Sequence, residues 1–398
     1  MLFIPIFLCN RMHIAWQIHA SSNSPMPRIG GKLPLVHARA RQISSRKMAD
    51  KTNQTRPSSS LPTVRTISAL AGVSPSTVSR ALKGDPRISE KTRATVAAIA
   101  QQEGYAPNAM ARGLVTRSSG VVGIVLGNME NPFYGELVER LHDRLAEVGK
   151  YPMLMHIGGE TLDSEAIKPI REYQMDGCII AAARLSSKAA ETCAHNRLPM
   201  VMINRVARIH SCAVSCDNYA GGVMAGDLLI RAAHRHIAFI AGREDTSTSE
   251  DRESGLHCAL RKAEMALKGW ARGYYTYDGG FIAAKELLAG KPRPDAIFAA
   301  NDIMALGAID AVRESGLRVP DDVSVIGFDD IRSACWHNYR LTTIAQPVDA
   351  MVTRALALLM ERIENPGLSG ESISIQGEIK VRASARLPAE LVETLAPA

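Results

Sequence analysis

Residues 63–82 read TVRTISALAGVSPSTVSRAL, a helical stretch, a glycine break and a second helical stretch. The spacing predicts a first helix over residues 63–70, with Val64, Ile67 and Leu70 on one face at the three- and four-residue interval of an amphipathic helix. Ala71 and Gly72 end it, because glycine accepts the left-handed conformation at a helix C-terminus and Val73 can fill the angle between two helices. Ser74 suits the next N-cap and Pro75 the first helical position, where its missing N–H would be unpaired anyway. The second helix turns Val78 and Leu82 inward and leaves Ser76, Thr77, Ser79 and Arg80 outward. Short hydroxyls allow close approach to a DNA major groove, and Arg80 can pair in bidentate fashion with guanine or clamp a phosphate. By helix pattern alone, a helical hairpin in some enzyme fits as well.

The next stretch, GDPRISEKTRATVAAIAQQEGYAPNAMARGL, predicts a third helix over residues 89–103 that ends at Gly104, with Val96, Ile99 and Ala100 closing a three-helix core. The AGVSPSTVSRAL run, the G-Y-x-P-N of residues 104–108 and the N-A-x-A-x-x-L of residues 108–114 stand in a specific order and spacing. Together they resemble the lactose repressor (LacI/GalR) family of bacterial transcriptional regulators. The resemblance continues through NPF, NDxxAxG and GFDD to about residue 388.

Charge divides along the chain. Residues 1–119 hold 17 Lys+Arg against 4 Asp+Glu, and the remainder holds 30 against 36. A basic head and an acidic body suit a polyanionic partner that meets the head alone. Seven scattered cysteines lack the paired spacing of a disulfide framework or zinc ribbon, which fits a reducing cytoplasm. His210, Cys212 and Cys216 lie close in sequence, but no second cysteine pair accompanies them, and buried small hydrophobes are the better reading of Cys178 and Cys216. The opening MLFIPIFLC is far shorter than the roughly 20 residues of a spanning helix and has no basic region before it. Residues 1–61 are therefore expected to be a disordered or mis-annotated extension, with the true start at Met48; a basic arm carrying Arg39, Arg41, Arg46 and Lys47 is the alternative.

Beyond Gly120, short apolar strands alternate with amphipathic helices, the pattern of parallel α/β architecture. VVGIVL, PMLMHI, GCIIAA, PMVMIN, IAFIAG, AIFAAN and VSVIGF are too many strands for one compact sheet, so two sheets in series are expected, each covered on both faces. Ligands of such folds gather beyond the carboxyl ends of the strands. Asn128, Asn131, Phe133, Tyr134, Asp217, Asn218, Asn301, Asp302, Asp329 and Asp330 occupy those ends, and rings with carboxylates and amides suit a polyhydroxylated ligand. Asp302 reads as a helix cap, Asn301 and Asp329 as ligand contacts. There is no G-x-G-x-x-G after a strand, no G-x-x-x-x-G-K-[ST] and no H-E-x-x-H, so neither catalysis nor a cofactor or metal is called for.

The resemblance implies a small all-α helix-turn-helix head and an α/β body of two parallel-sheet subdomains, similar to periplasmic binding proteins, around an effector cleft. The DNA-binding domain would span residues 62–106, the hinge helix and linker 107–119, the effector-binding domain 120–388 and a tail 389–398. One subdomain would hold residues 120–217 with 344–371, the other 218–343 with 372–388. Implied DNA contacts are Thr66, Ser74, Pro75, Ser76, Thr77, Ser79 and Arg80 in the head and Asn108, Ala111, Arg112 and Leu114 in the hinge, with Leu114 wedged into the minor groove. Implied effector contacts are Phe133, Tyr134, Thr248, Arg252, Asn301 and Asp329. The implied partners are near-palindromic operator DNA, a small effector, a sugar or sugar acid, and a second copy of the chain. No membrane is implied. Leu387, Leu391 and Leu395 form too short a stripe for a coiled coil, which favours a dimer over a tetramer. The competing classes are a periplasmic-type sugar-binding protein and a sugar-modifying enzyme.

Overall fold

The computed structural model describes residues 61–106, 118–388 and 390, apart from 128, 159–160, 164, 166, 182–183, 206–211 and 245. The extension up to residue 60, the hinge positions Asn108, Ala111, Arg112 and Leu114, and Leu391 and Leu395 of the tail lie outside the described residues. In the head, α1 (Val64–Ala71), α2 (Pro75–Leu82) and α3 (Glu90–Gln102) pack on one another. Thr63 and Thr66 cap α1 reciprocally, each hydroxyl accepting the other's backbone N–H at 3.2–3.3 Å. Gly72 ends α1 at φ 63°, a left-handed turn that a Cβ would disfavour. Ile67, Val78, Ala81 and Val96 are buried at the centre, with Ile99 and Leu82 packed around them. Leu70, expected inward, is 45% exposed. α1 runs through Ala71, and its inward face is Val64, Ile67 and Ala71, which turns Leu70 toward solvent.

The body contains two six-stranded sheets. The first runs in the order β13-β7-β6-β4-β1-β2, all parallel, built from β1 (Val121–Leu126), β2 (Tyr151–His156), β4 (Gly177–Ala181), β6 (Met200–Ile203), β7 (Ala213–Cys216) and β13 (Ser372–Ile375). The second runs β14-β12-β11-β10-β8-β9, from β8 (Ile237–Ala241), β9 (Gly269–Arg272), β10 (Ala296–Ala299), β11 (Ser324–Asp329), β12 (Thr342–Ala345) and β14 (Glu378–Lys380). Only β14 is antiparallel to its neighbour there. β3 (Thr161–Leu162) and β5 (Arg184–Leu185) form a small separate pair. β1, β4, β8, β10 and β11 are buried almost throughout, as continuous apolar runs demand. β2 is an edge strand and leaves Tyr151 and Leu154 exposed. Among the described residues no helix is long and apolar enough to cross a membrane.

The helices flanking the sheets include α4 (Phe133–Glu147), α5 (Lys168–Glu172), α6 (Ser187–His195), α7 (Asn218–Arg231), α8 (Ser247–Lys262), α9 (Tyr277–Ala289), α10 (Asp302–Glu314) and α11 (Val348–Glu364). The chain leaves the first sheet after β7 and returns after β12, where α11 packs on β4, β6, β7 and α4. It crosses a third time between β13 and β14. Two expected boundaries therefore move. β12 stays with the second sheet to Ala345, and Ser372–Ile375, assigned from sequence to the second subdomain, extends the first sheet beside β7. The physical reason is that the alternating SISI run makes a parallel edge strand beside β7 before the chain crosses to the second sheet, which it enters from the carboxyl end of β12 and so antiparallel to it.

The α7–α8 crossing is tight. A Cβ on Gly222 would lie 2.1 Å from the Arg252 carbonyl oxygen, and one on Gly255 would lie 2.1 Å from the Tyr219 oxygen. Overpacking of this kind costs about 1–3 kcal/mol. Gly222→Ala is expected to lower stability by that amount in urea unfolding, and an unchanged midpoint would show that the crossing can relax.

Candidate functional site

The eleven residues lining a cleft between the two sheets all lie at strand ends, in the loops after them or on the helices that follow. From the first sheet's side come Glu130, Asn131, Tyr134, Asn204 and Arg205; from the second come Arg243, Thr248, Arg252, Tyr275, Asn301 and Asp329. The cleft's free volume in this arrangement is about 30 Å³, room for a water molecule or two.

Arg252, on α8, is 2% exposed, so its charge must be matched inside the protein. Its Nε donates to Asn218 Oδ1 at 2.8 Å, an Nη donates to the Ala300 carbonyl, and the other Nη lies 3.5 Å from Asp329 Oδ1. The guanidinium also stacks 3.6 Å from the centroid of the Phe328 ring. Asp329 ends β11 at φ 126°, in the region L residues seldom adopt. It accepts from Gln346 Nε2 at 2.7 Å and, across the cleft, from Asn131 Nδ2 at 3.0 Å. Burial pushes the Asp329 carboxyl upward against the pull of Arg252. The Arg252 contact and two donated hydrogen bonds favour the ionised form.

Thr248 and Thr246 each share a hydrogen bond with the Tyr275 hydroxyl, at 3.0 and 3.2 Å. Asn301, fully buried, caps α10 by accepting the Met304 N–H at 3.1 Å, and its Nδ2 has no protein partner. Asn204 Nδ2 donates to the Tyr134 hydroxyl at 3.2 Å, and its Oδ1 likewise has no partner.

The sequence expectations fare unequally. Tyr134, Thr248, Arg252, Asn301 and Asp329 come together in the cleft. Phe133 does not: it is 2% exposed, inside the core, edge-on to Tyr134 with centroids 5.4 Å apart. As the first residue of α4 it faces the sheet, while Tyr134 reaches the cleft. Asp302 is not the cap of α10, a role Asn301 takes. It is sealed in the core, where it accepts the Ile331 N–H at 2.9 Å and the Thr343 hydroxyl at 2.6 Å. Burial, then the nearby Asp329 charge, pushes its carboxyl up to about 8. Asn204 and Arg243, which follow the PMVMI and IAFIAG runs, carried the same strand-end signal as the residues chosen. Tyr275 follows GWAR, which has no apolar run to mark it, and Gln346 lies at a crossing between sheets.

In the head, Ser74 caps α2 by accepting the Thr77 N–H at 3.1 Å, and its hydroxyl is shared with those of Ser76 and Thr77 at 2.8 and 2.9 Å. Ser74, Pro75, Ser76, Ser79 and Arg80 are exposed, and Thr77 is half-buried. The Thr66 hydroxyl takes part in the cap of α1. The exposed part of α2 is a small, hydroxyl-rich face with a guanidinium at its end, a shape and chemistry that fit a groove lined by base edges and phosphates.

Residues 63–108 match the model of the lacI family of bacterial regulatory proteins, and residues 227–385 match that of the periplasmic binding protein-like domain. Over 329 residues the chain is 31% identical to the HTH-type transcriptional repressor PurR of Pectobacterium carotovorum subsp. carotovorum, an alignment that covers 81% of this chain and 96% of that protein. The PurR of Yersinia enterocolitica matches with the same identity and coverage. Among solved structures, a complex of the transcriptional regulator CelR with cellobiose superposes with a TM-score of 0.61 at 31% identity, covering 81% of this chain and 100% of that one. A lac repressor dimer bound to operator and the anti-inducer ONPF superposes with a TM-score of 0.73 at 24% identity, covering 82% and 99%, a likeness of fold.

The Arg252–Asp329 pair makes a prediction about stability. Removing one partner of a buried ion pair leaves an uncompensated charge and costs about 3–5 kcal/mol. Asp329→Ala is expected to lower the unfolding free energy by that order, read from denaturant curves, whereas a loss below about 1 kcal/mol would mean that water reaches Arg252.

Proposed function

The chain belongs to the lacI family of bacterial regulatory proteins, and from that premise we propose that it is a sequence-specific DNA-binding transcriptional repressor controlled by a small effector, a sugar or sugar acid. It acts in the cytoplasm as a symmetric dimer whose two heads read a near-palindromic operator. The observation that carries this reading is the α2 face, where Ser76, Ser79 and Arg80 stand exposed at the end of a capped helix-turn-helix. Thr66, Ser74, Pro75 and Thr77 flank that face and contact the phosphate backbone. Asn108, Ala111, Arg112 and Leu114 form the hinge contact, with Leu114 as the apolar wedge.

Effector control is placed in the cleft. Tyr134, Thr248, Arg252, Asn301 and Asp329 line it together with Asn131 and Tyr275. A ligand hydroxyl at Asp329 competes with or reinforces the Asn131–Asp329 bond that joins the two sheets' sides. The effector thereby biases the angle between subdomains and, through the segment before Gly120, the order of the hinge. Asp176 anchors the entry to the body by accepting from the backbone N–H of Ser119 and Gly120 at 2.7 and 3.1 Å and from Lys150 at 2.8 Å.

The test is fluorescence anisotropy of the full chain on its own upstream DNA, with competitor DNA and a salt titration. Tight, competitor-resistant binding is expected, and weak binding with only a steep salt dependence would count against a site-specific regulator. Arg80→Ala is expected to cost about 1–3 kcal/mol and to relax the preference at one base position. An unchanged ranking of operator variants would reassign it to a phosphate. Leu114→Ala is expected to reduce DNA bending in an energy-transfer assay, and full bending by the variant would remove the wedge role.

A further inference from the structure

Asp302, the first residue of α10, carries a carboxyl group that is sealed in the core, and among the described residues no cation pairs with it. The group lies hard against β11, where a Cβ on Gly327 would come 2.1 Å from its Oδ1. Its Oδ2 accepts the Ile331 N–H at 2.9 Å, and its Oδ1 lies 2.6 Å from the Thr343 hydroxyl of β12. The charges that face it from neighbouring elements are carboxylates, Asp329 at the end of β11 and Asp330 just after it. Both are answered elsewhere, Asp329 by Arg252 of α8 and Asp330 by Arg382 beyond β14.

The amino end of α10 and the two donors favour a charge on Asp302. Complete burial, no cation in contact and an ionised neighbour oppose it, and a sealed carboxyl in that position takes up a proton. The balance holds the group up at about 8, so the neutral acid prevails near pH 7. A neutral acid fits both contacts. Its carbonyl oxygen keeps the Ile331 N–H, and its own hydroxyl donates to Thr343 Oγ1.

What Asp302 holds is the segment that reaches the other side of the body. Asp329 and Asp330 turn the backbone through φ values of 126° and 61°. Asp302 fixes the next residue, Ile331, and the one after it, Arg332, donates its N–H to Glu136 of α4 and pairs with Glu139. With the Asn131–Asp329 bond, these contacts join the second sheet's side to α4 and the loop before it.

We infer that Asp302 is the positioning residue of this bridge and acts as the neutral acid: one proton, held against Thr343, keeps residues 329–332 in place for α4, and its loss loosens them. Ionisation would set a second carboxylate beside Asp329 without a counter-charge, and the strain is relieved by moving the Ile331–Arg332 segment toward water. The inference does not depend on what the cleft binds; only its operator measurement rests on the reading of the chain as a repressor.

The test compares the full chain with Asp302→Asn, whose amide oxygen accepts from Ile331 and whose NH2 donates to Thr343, so that it reproduces the neutral acid at every pH. The folded carboxyl titrates above its ordinary value, so the stability it contributes is full below about pH 4 and is lost as pH rises through about 8. Between pH 6 and pH 9 the wild-type urea midpoint is therefore expected to fall relative to that of the variant. Hydrogen exchange, corrected for the intrinsic rate at each pH, is expected to show the peptide spanning residues 329–334 losing protection at pH 9 in the wild type and keeping it in the variant. The ratio of the two proteins' operator affinities is expected to change about threefold or more over the same range. A variant that fails to fold would show that the charge is needed and would overturn the inference. So would a constant difference in midpoint from pH 6 to pH 9, or equal exchange in the two proteins. A constant ratio of operator affinities would leave Asp302 a structural residue and overturn its part in regulation.

Discussion

A guanidinium with almost no access to water has to be neutralised by the protein itself, and the geometry of the cleft follows from how that is done for Arg252. Its partners come from three places distant in sequence: Asn218 at the start of α7, the Ala300 carbonyl after β10, and Asp329 at the end of β11. Meeting all three requires α8 to lie against α7 closely enough that only glycine fits at positions 222 and 255. It also holds Asp329 in a backbone conformation unfavourable for any residue with a Cβ. The strain at Asp329 is over-determined by four contacts, from Arg252, Gln346 and Asn131 on its side chain and from the Gln346 N–H on its carbonyl.

The same carboxylate is where the two halves of the body meet. Asn131 uses both ends of its amide: Oδ1 accepts the Phe133 N–H at the entry to α4, and Nδ2 crosses to Asp329. Beside this bond the Arg332 N–H donates to Glu136 at 2.9 Å, and its guanidinium pairs with Glu139, so α4 is tied to the loop after β11 at two levels. The Arg332 side chain is 69% exposed and its pairs are worth little in stability. The part-buried Asn131–Asp329 bond is the one between residues that line the cleft.

Much of this was legible in the sequence, and the reason is periodicity. The apolar runs of β1, β4, β8, β10 and β11 lie in covered sheets and read as strands without ambiguity, and the caps at Ser74 and Gly72 announce the head. Strands without an apolar run were not legible: β9 begins Gly-Trp, β13 alternates at an edge, and β14 is three residues long. Within the cleft, residue type predicted which positions matter better than which atoms do the work. Asn301 is both cap and cleft residue because an amide has two ends, whereas Asp302 disappears into the core to hold Ile331 and Thr343. Phe133 and Tyr134 are adjacent on one helical turn, and only geometry decides which of them faces the cleft.

Three crossings link the sheets, after β7, after β12 and between β13 and β14. They lie close together, since the Asp217 N–H donates to the Ile375 carbonyl and Ala345 at the end of β12 pairs with Glu378 at the start of β14. Segments bonded in this way bend as a unit, which limits the subdomains to a small set of relative angles. A ligand shifts the balance among those angles only by the difference in its affinity for them, and DNA held by the heads shifts the ligand's affinity by the same factor. On the proposed reading of the cleft, a ligand that keeps the Asn131–Asp329 bond and adds its own would favour the arrangement that bond belongs to, and one that takes Asn131's place on the carboxylate would favour another.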